Sequence, residues 1–132
     1  MRHKTTHRLR FNDTDQQGHI NNAVFMIMLE QGRAEFLVEL GIPLRTEAYA
    51  MVIVRVELDF LAEMSWPGDV DIETSVAQLG TSSIRLHQAL YQHGVSTGRA
   101  VSVVVALDRR TKRAMPLSPE WRSMLQPWIE AA

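Results

Sequence analysis

The chain has 132 residues, a formal net charge of −1 and a hydrophobic content of 45%. These values predict one globular domain, residues 1–132, that is large enough to bury a core of its own. The small net charge gives no electrostatic reason to expect a nucleic acid or an anionic membrane as partner. The absence of cysteine excludes disulfides, thiolate metal sites and a cysteine nucleophile.

The N-terminal segment is polar and basic and lacks the apolar stretch of a secretory signal, so we expect a cytoplasmic protein. Residues 5–11 predict a short strand, although apolar and polar side chains alternate only weakly there. The apolar run at residues 23–29 is too short to span a bilayer. No membrane partner is therefore expected.

A long helix is predicted over residues 22–40. Asparagine at its start is a favoured N-cap, because the side-chain oxygen accepts a hydrogen bond from a free backbone amide. Gly41 and Pro43 mark its end, since glycine readily adopts the left-handed conformation after a helix and proline cannot continue it. The residues from Ala23 to Leu29 are all apolar. We therefore expect this half of the helix to be buried on every side.

Alternating apolar and polar side chains predict four strands after the helix. They cover residues 52–60, 70–79, 84–92 and 99–107. The fourth contains an almost continuous valine run and is expected to be central and covered on both faces. A short C-terminal helix, residues 120–129, is predicted with Ser118 as its cap. The pattern predicts an α+β fold with an antiparallel sheet of about five strands.

The polar loop before the long helix contains the residues most suited to chemistry. Asp15 has two readings that the sequence leaves open: an acceptor for nearby loop amides, or a general base or nucleophile. Asp13 is expected to fix the loop, and His19 to order it or to line a pocket. The five histidines have no spacing typical of metal ligands. On the helix, Glu30 is expected to form a buried ion pair with Arg33.

Two segments carry a resemblance to a known family. Residues 13–22 read D-T-D-x-x-G-H-x-N-N, and residues 29–37 read L-E-x-x-R-x-E-F-L. Together with the strand pattern, these segments resemble the 4-hydroxybenzoyl-CoA thioesterase group of the hotdog-fold superfamily. The resemblance implies a sheet wrapped around one long central helix. It also implies an acyl-CoA thioesterase that hydrolyses the thioester to a free carboxylic acid and CoA.

The resemblance further implies roles for individual residues. Asp15 would be the catalytic base or nucleophile, and the backbone N–H of Asn22, at the positive end of the helix, would stabilise the oxyanion. The substrate-binding residues would be Gly18, His19, Asn21, Ser82 and Ser83. No metal or other cofactor is implied. The family implies a homodimer with a continuous sheet, often doubled to a homotetramer.

Several alternatives stay open. The chain could be a non-catalytic hotdog module that binds acyl-CoA or acyl-carrier protein, and a hotdog hydratase is a more remote option. Asn22 could simply cap its helix, and Glu30 is a minor alternative to Asp15 as the catalytic carboxylate. The basic run Arg109–Arg113 either holds the phosphates of CoA or is a solvated charged turn.

Overall fold

The computed structural model describes residues 1–130. The elements are β1 (His3–Arg8), α1 (Asn22–Glu39), β2 (Tyr49–Phe60), β3 (Asp69–Leu79), β4 (Ser83–Gln92), β5 (Val95–Asp108) and α2 (Pro119–Leu125), with short 3-10 turns at Phe11–Asp13 and Gln126–Trp128. The strands form one antiparallel sheet in the order β1-β3-β4-β5-β2. The α+β architecture with about five antiparallel strands is thereby confirmed.

The ends of α1 follow the sequence signals closely. The N-cap is Asn21, whose side-chain oxygen accepts a hydrogen bond from the amide of Ala23 at 2.9 Å. Asn22 is therefore the first helical residue, and the alternative that its side chain caps the helix is wrong. At the other end, Gly41 adopts a φ of +89° and its N–H donates to the carbonyl of Val38, which closes the last turn.

α1 lies directly against the sheet because of a glycine at its middle. A Cβ built on Gly32 would stand 2.6 Å from Cγ2 of Ile72 on β3, which is closer than two non-bonded carbon atoms can approach. The side-chain amide of Gln88 on β4 donates to the helix carbonyl of Leu29 at 3.0 Å and to the hydroxyl of Thr74 at 3.1 Å. These bonds satisfy buried polar atoms under the helix.

The expectation that the first half of α1 is buried all round is wrong for the single chain. Val24, Phe25 and Met28 face the sheet and are buried, whereas Met26 is 39% and Ile27 is 53% exposed. One sheet covers only one side of a helix, so the outward side chains stay in contact with solvent.

The predicted ion pair between Glu30 and Arg33 does not form. Glu30 is exposed, while Arg33 is buried and donates to the side-chain oxygen of Gln88 at 3.4 Å. Burial lowers the pKa of the Arg33 guanidinium, and the charge of Glu30 acts weakly in the opposite direction. The arginine turns inward because its helix position faces β4.

β5, the strand with the valine run, is an interior strand between β4 and β2, whereas the middle strand of the sheet is β4. The prediction that this last strand is covered on both faces is wrong: Ala100, Ser102 and Val104 are buried beneath α1, but the alternating Val101 and Val103 are only half-buried. The helix packs on one face of the sheet. The opposite face, called the outer face below, has no layer over it among residues 1–130.

β2 is an edge strand whose alternation is interrupted. Its pairing with β5 shifts register between Ile53 and Arg55, so Val54 is an extra residue in a β-bulge. Val54 is 57% exposed. The side chains that face α1 therefore fall on odd-numbered residues on one side of the bulge and on even-numbered residues on the other. The simple alternation predicted over residues 52–60 does not hold along the whole strand.

The C-terminal segment closes one end of the sheet. The predicted cap is confirmed, since the hydroxyl of Ser118 accepts a hydrogen bond from the amide of Trp121 at 3.1 Å. α2 ends at Leu125, earlier than predicted, and a 3-10 turn follows. The end of the sheet that the C-terminal segment covers, where β2 begins, is called the capped end. The opposite end, where α1 begins and β2 finishes, is called the loop end. No helix within residues 1–130 is long and apolar enough to cross a membrane.

Candidate active site

The loop before α1 is a small closed turn at the loop end. The N–H of Asp15 donates to the carbonyl of His19 at 2.7 Å, and the N–H of Gly18 donates to the carbonyl of Asp15 at 3.3 Å. Gly18 has a φ of +83°, and a Cβ built there would meet nothing within 4 Å. Position 18 therefore favours glycine because of its backbone conformation and not because a side chain would clash with a neighbour.

Asp13 fixes the start of this loop, as expected. Its carboxylate accepts the backbone N–H of Arg10 at 2.8 Å and the Arg10 guanidinium at 3.0 Å. Burial acts to raise the pKa of Asp13, but the two hydrogen bonds from Arg10 outweigh it, and the pKa is lowered. Asp13 is buried and anchored, so it has no free oxygen to offer a ligand.

Asp15 is exposed and holds the loop with only one of its oxygens. Oδ1 accepts the backbone N–H groups of Gln17 at 2.8 Å and of His19 at 3.1 Å. Within the described chain, Oδ2 has no hydrogen-bond partner. The turn-forming and the chemical readings of Asp15 are thus compatible, because they use different oxygen atoms.

A cavity of about 460 Å³ opens beside this loop. Its walls come from the loop, the first turns of α1 and the segment that follows β2. The lining residues are Asp15, Gln17, His19, Ile20, Asn22, Phe25, Phe60, Leu61, Ala62 and Glu63. The structure therefore brings Asp15, His19 and Asn22 together at one site. The rings of Phe25 and Phe60 form an apolar wall, edge-to-face at 5.0 Å.

The first amide of α1 is available at this cavity. Among residues 1–130, the backbone N–H of Asn22 has no acceptor, whereas the amides of Ala23 and Val24 are bonded to Asn21. A free N–H at a helix N-terminus carries part of the positive end of the helix dipole. A carbonyl oxygen placed there would be polarised.

Glu63 is a site residue that the sequence did not reveal. Its carboxylate lies 3.0 Å from Nε2 of His19, and both side chains line the cavity. His19 also pairs with Ser65 through a short antiparallel bridge. An isolated glutamate in a connecting segment carries no sequence signal, so only tertiary structure could identify it.

The remaining predicted substrate residues, including Gly18 of the loop itself, are not part of the lining of this cavity. Asn21 acts as the helix cap. Ser82 and Ser83 lie at the β3–β4 turn, where the carbonyl of Ser82 accepts the amide of Ala106. This turn is at the capped end, roughly 33 Å from the loop end along β3. In one chain the serines and Asp15 are far apart.

The basic turn is also at the capped end. The Arg109 guanidinium donates to the carbonyl of Thr46 at 2.9 Å, and the carboxylate of Asp108 accepts the amides of Arg110 and Thr111. The side chains of residues 110–113 are exposed. Within residues 1–130, no three His, Asp or Glu side chains form a group that could hold a metal ion.

The sheet with one long helix across it defines the protein class, because the same arrangement recurs in solved thioesterases. A predicted thioesterase from Bacillus stearothermophilus superposes with a TM-score of 0.92 at 29% identity, over 100% of this chain and 99% of that one. A thioesterase from Thermus thermophilus, complexed with coenzyme A and Zn, superposes with a TM-score of 0.81 at 27% identity, over 95% and 92% of the two chains. The fold is the hotdog fold.

The family follows from the sequence match. Residues 9–129 match the model of the Thioesterase-like superfamily, and the chain belongs to that family. It is also 27% identical over 103 residues to an uncharacterised protein, YsmA, of Bacillus subtilis, a match that covers 76% of this chain and 70% of YsmA. Family membership and these neighbours support thioesterase activity in general.

Proposed function

We propose that the protein is an acyl-CoA thioesterase that hydrolyses the thioester to a free carboxylic acid and CoA. One observation carries the proposal: a single cavity contains the Asp15 carboxylate, with one oxygen free, and the Asn22 N–H at the start of α1. A base or nucleophile and an oxyanion donor are the two groups that acyl transfer needs. The CoA complex of the Thermus thermophilus thioesterase supports CoA as the carrier.

The chemistry follows from these two groups. The thioester carbonyl oxygen accepts a hydrogen bond from the Asn22 N–H, so negative charge that develops on this oxygen is stabilised by the helix N-terminus. Oδ2 of Asp15 takes a proton from water, whose oxygen bonds to the carbonyl carbon. The C–S bond then breaks, and the CoA thiolate leaves and takes up the proton. In the nucleophilic variant, Oδ2 attacks the carbonyl carbon, the C–S bond breaks and CoA leaves as the thiolate. Water then hydrolyses the resulting anhydride, which restores the Asp15 carboxylate and releases the carboxylic acid, and the thiolate takes up the proton from water.

The neighbouring residues keep this geometry in place. The amides of Gln17 and His19 bind Oδ1 of Asp15, which leaves Oδ2 as the reactive oxygen. Gly18 permits the loop conformation, and Asn21 fixes the first turn of α1. The apolar wall at Phe25 suits the acyl group. Assignment to the 4-hydroxybenzoyl-CoA thioesterase group rests on the motif at residues 13–22.

We also propose a homodimer through the free edge of β2. Antiparallel pairing of two β2 strands would place the start of one beside the end of the other. The loop end of one protomer would then meet the capped end of its partner. That arrangement brings Ser82, Ser83 and the basic turn at residues 109–113 of one chain toward the cavity of the other, where they would contact CoA and its phosphates. The exposed side chains of Met26 and Ile27 would be covered.

Mutation of Asp15 tests the activity. CoA release is measured as free thiol over a panel of acyl-CoA esters, including 4-hydroxybenzoyl-CoA and straight-chain esters; the chain contributes no thiol of its own. We expect turnover by the wild type and a loss of about 10²–10⁴-fold in kcat for Asp15→Asn. The melting temperature should barely change, because the asparagine oxygen still accepts the Gln17 and His19 amides. Glu47→Gln, in an exposed loop, is the matched control.

The alternative of a non-catalytic module that binds acyl-CoA or acyl-carrier protein predicts a different result. Binding of the ester would be retained by the wild type and by Asp15→Asn, with thiol release by neither. Wild-type turnover that survives in Asp15→Asn would instead remove Asp15 from the mechanism while leaving the activity in place. The organisation of residues 1–132 as a single domain and a cytoplasmic location stay predictions.

A further inference from the structure

A buried glutamine holds one wall of the cavity in place. Gln92, the last residue of β4, is 5% exposed. Its side-chain oxygen accepts the backbone N–H of Ser65 at 2.9 Å, and its side-chain nitrogen donates to the carbonyl of Ser65 at 2.8 Å. Ser65 belongs to residues 61–65 between β2 and β3, called the wall segment below. One side chain therefore binds both backbone groups of a residue, as directly paired strand residues do.

The wall segment is attached to the sheet at both of its ends. At its start, the carbonyl of Thr97 on β5 accepts two N–H groups of the segment, at 3.0 and 3.3 Å. At its end, Gln92 binds Ser65. Residues 61–63 form part of the cavity lining. The position of this lining relative to β4 and β5 therefore depends on the two attachments.

The wall segment in turn holds the loop that contains Asp15. The N–H of Ile20 donates to a carbonyl of the segment at 3.0 Å, and His19 pairs with Ser65 through the short bridge. His19 is bonded to Asp15 twice: its N–H donates to Oδ1 at 3.1 Å, and its carbonyl accepts the Asp15 N–H at 2.7 Å. An unbroken series of contacts therefore runs from the Gln92 amide, through the wall segment, to the Asp15 carboxylate.

The backbone leaves a space for the amide of Gln92. A Cβ built on Gly68 would stand 2.9 Å from Nε2 of Gln92 and 3.7 Å from the carbonyl oxygen of Ser65. A side chain at position 68 would therefore press on the amide where it binds Ser65. The absence of a side chain there allows the close contact.

A second buried glutamine on the same strand provides a comparison. Gln88 lies four residues earlier on the same face of β4 and is also buried. Its amide nitrogen donates to Leu29 and Thr74, and its oxygen accepts a hydrogen bond from Arg33. None of these partners belongs to the wall segment or to the loop before α1. The two glutamines therefore share residue type, strand and burial, but only Gln92 is connected to the loop.

We propose that Gln92 is a positioning residue for the thioesterase reaction: its amide fixes the wall segment and thereby the direction of the Asp15 carboxylate. The inference rests on the proposed function, since it assigns Gln92 to the activity of that site. Gln92 does not line the cavity, so it acts through Ser65 and His19 and not on the substrate. A reacting group displaced by about 1 Å can cost about 10²-fold in rate. Loss of the amide should therefore lower kcat far more than it changes KM.

Replacement of the amide by a carboxyl group tests this role. A protonated carboxyl has the shape of the amide and can both donate and accept, whereas an ionised carboxylate has no donor for the Ser65 carbonyl. We expect Gln92→Leu to lose about 10–10²-fold in kcat relative to the wild type. The kcat of Gln92→Glu, divided by that of the wild type at the same pH, should rise as pH falls from about 9 to about 5 and should there exceed the ratio for Gln92→Leu. The division removes the titration of Asp15, which all three proteins share.

Gln88→Leu is the matched control for loss of a buried amide. Urea unfolding gives the stability of each variant, and kcat is expressed per folded molecule. Gln88→Leu should lose stability but keep a kcat close to that of the wild type. A kcat of Gln92→Leu equal to that of Gln88→Leu would overturn the inference and leave the thioesterase activity in place. So would a kcat of Gln92→Glu at about pH 5 no higher than that of Gln92→Leu.

Amide hydrogen exchange provides a test that needs no turnover. The N–H groups of Gln17 and His19 donate to Oδ1 of Asp15. They should exchange faster in Gln92→Leu than in Gln88→Leu, because only the first variant releases the loop. Equal exchange in the two variants would contradict the inference. A wild type that releases no thiol from any ester would contradict the proposed function, and the exchange rates would still decide whether Gln92 holds the loop.

Discussion

The two ends of the sheet use the same helix and strands for opposite purposes. At the capped end, Leu117 and Leu125 complete a buried cluster with Phe36, and Trp121 packs edge-to-face on Tyr49 at 4.9 Å. At the loop end, no helix within residues 1–130 covers the equivalent opening, and a cavity lies there instead. Each end has its own buried apolar cluster. The difference is that the C-terminal segment covers the capped end, whereas the loop end keeps a cavity lined partly by polar side chains.

The electrostatics of the two ends agree with this division. Two arginines at the capped end donate to backbone carbonyls: Arg122 to that of Gly80 at 2.8 Å and Arg109 to that of Thr46 at 2.9 Å. Charged groups at the loop end bind each other and loop amides, as His19 and Asp15 do. The first kind of contact fastens a segment. The second leaves titratable atoms near open space, which is what acid–base chemistry requires.

Shortening a buried side chain at the capped end should give the largest loss of stability and no change in kcat. Leu125 is fully buried, so Leu125→Ala should lower the free energy of unfolding by about 2–5 kcal/mol. Urea unfolding followed by tryptophan fluorescence measures this loss. The kcat per folded molecule at 25 °C should match the wild type. A loss below about 1 kcal/mol would show that the C-terminal segment is not part of the cooperative core.

A pair of glycine variants separates conformation from chemistry at the loop end. Gly18 and Gly94 both have positive φ, +83° and +76°, and a Cβ at either position meets nothing within 4 Å. Gly18→Ala and Gly94→Ala should each cost about 1–2 kcal/mol of stability. Only Gly18→Ala should also reduce kcat, because it reshapes the loop that holds Asp15. Equal activity in the two variants would mean that the loop conformation does not position the carboxylate.

The smallest expected effect on stability is that of Asp13, which anchors the loop, and its dependence on pH identifies its cause. Hydrogen bonds from Arg10 lower the pKa of Asp13 in the folded state. A carboxyl group with a lowered pKa stabilises the fold above its unfolded pKa, which is about 3.9, and that stabilisation is lost as pH falls through the folded value. Asp13→Asn should therefore be less stable than the wild type at pH 7, and the gap should close below about pH 4. A gap that stays constant from pH 7 to pH 3 would exclude the charge of Asp13 as its source.

Local signals in the sequence determined the order and type of the elements. Gly41 ends α1 because its backbone must be left-handed there, and Ser118 begins α2 because a hydroxyl satisfies a free amide. The grouping of Asp15, His19 and Asn22 also followed from the sequence, since they are neighbours in one short loop and the helix start. Signals of this kind depend on only a few adjacent residues, so the local structure that they predict does not depend on how distant segments pack.

Contacts between distant segments were decided by the tertiary structure alone. Glu63 reaches His19 only because β2 runs along the edge of the sheet from the capped end to the loop end. Arg33 turns to Gln88 rather than to Glu30 because the helix faces β4 at that position. The exposed side of α1 and the uncovered valines of β5 have the same origin: hydrophobicity predicts that a residue will be covered, but not by which surface. The described chain has one sheet and one long helix packed on one face of it, so the outward side of α1 and the outer face of the sheet stay open.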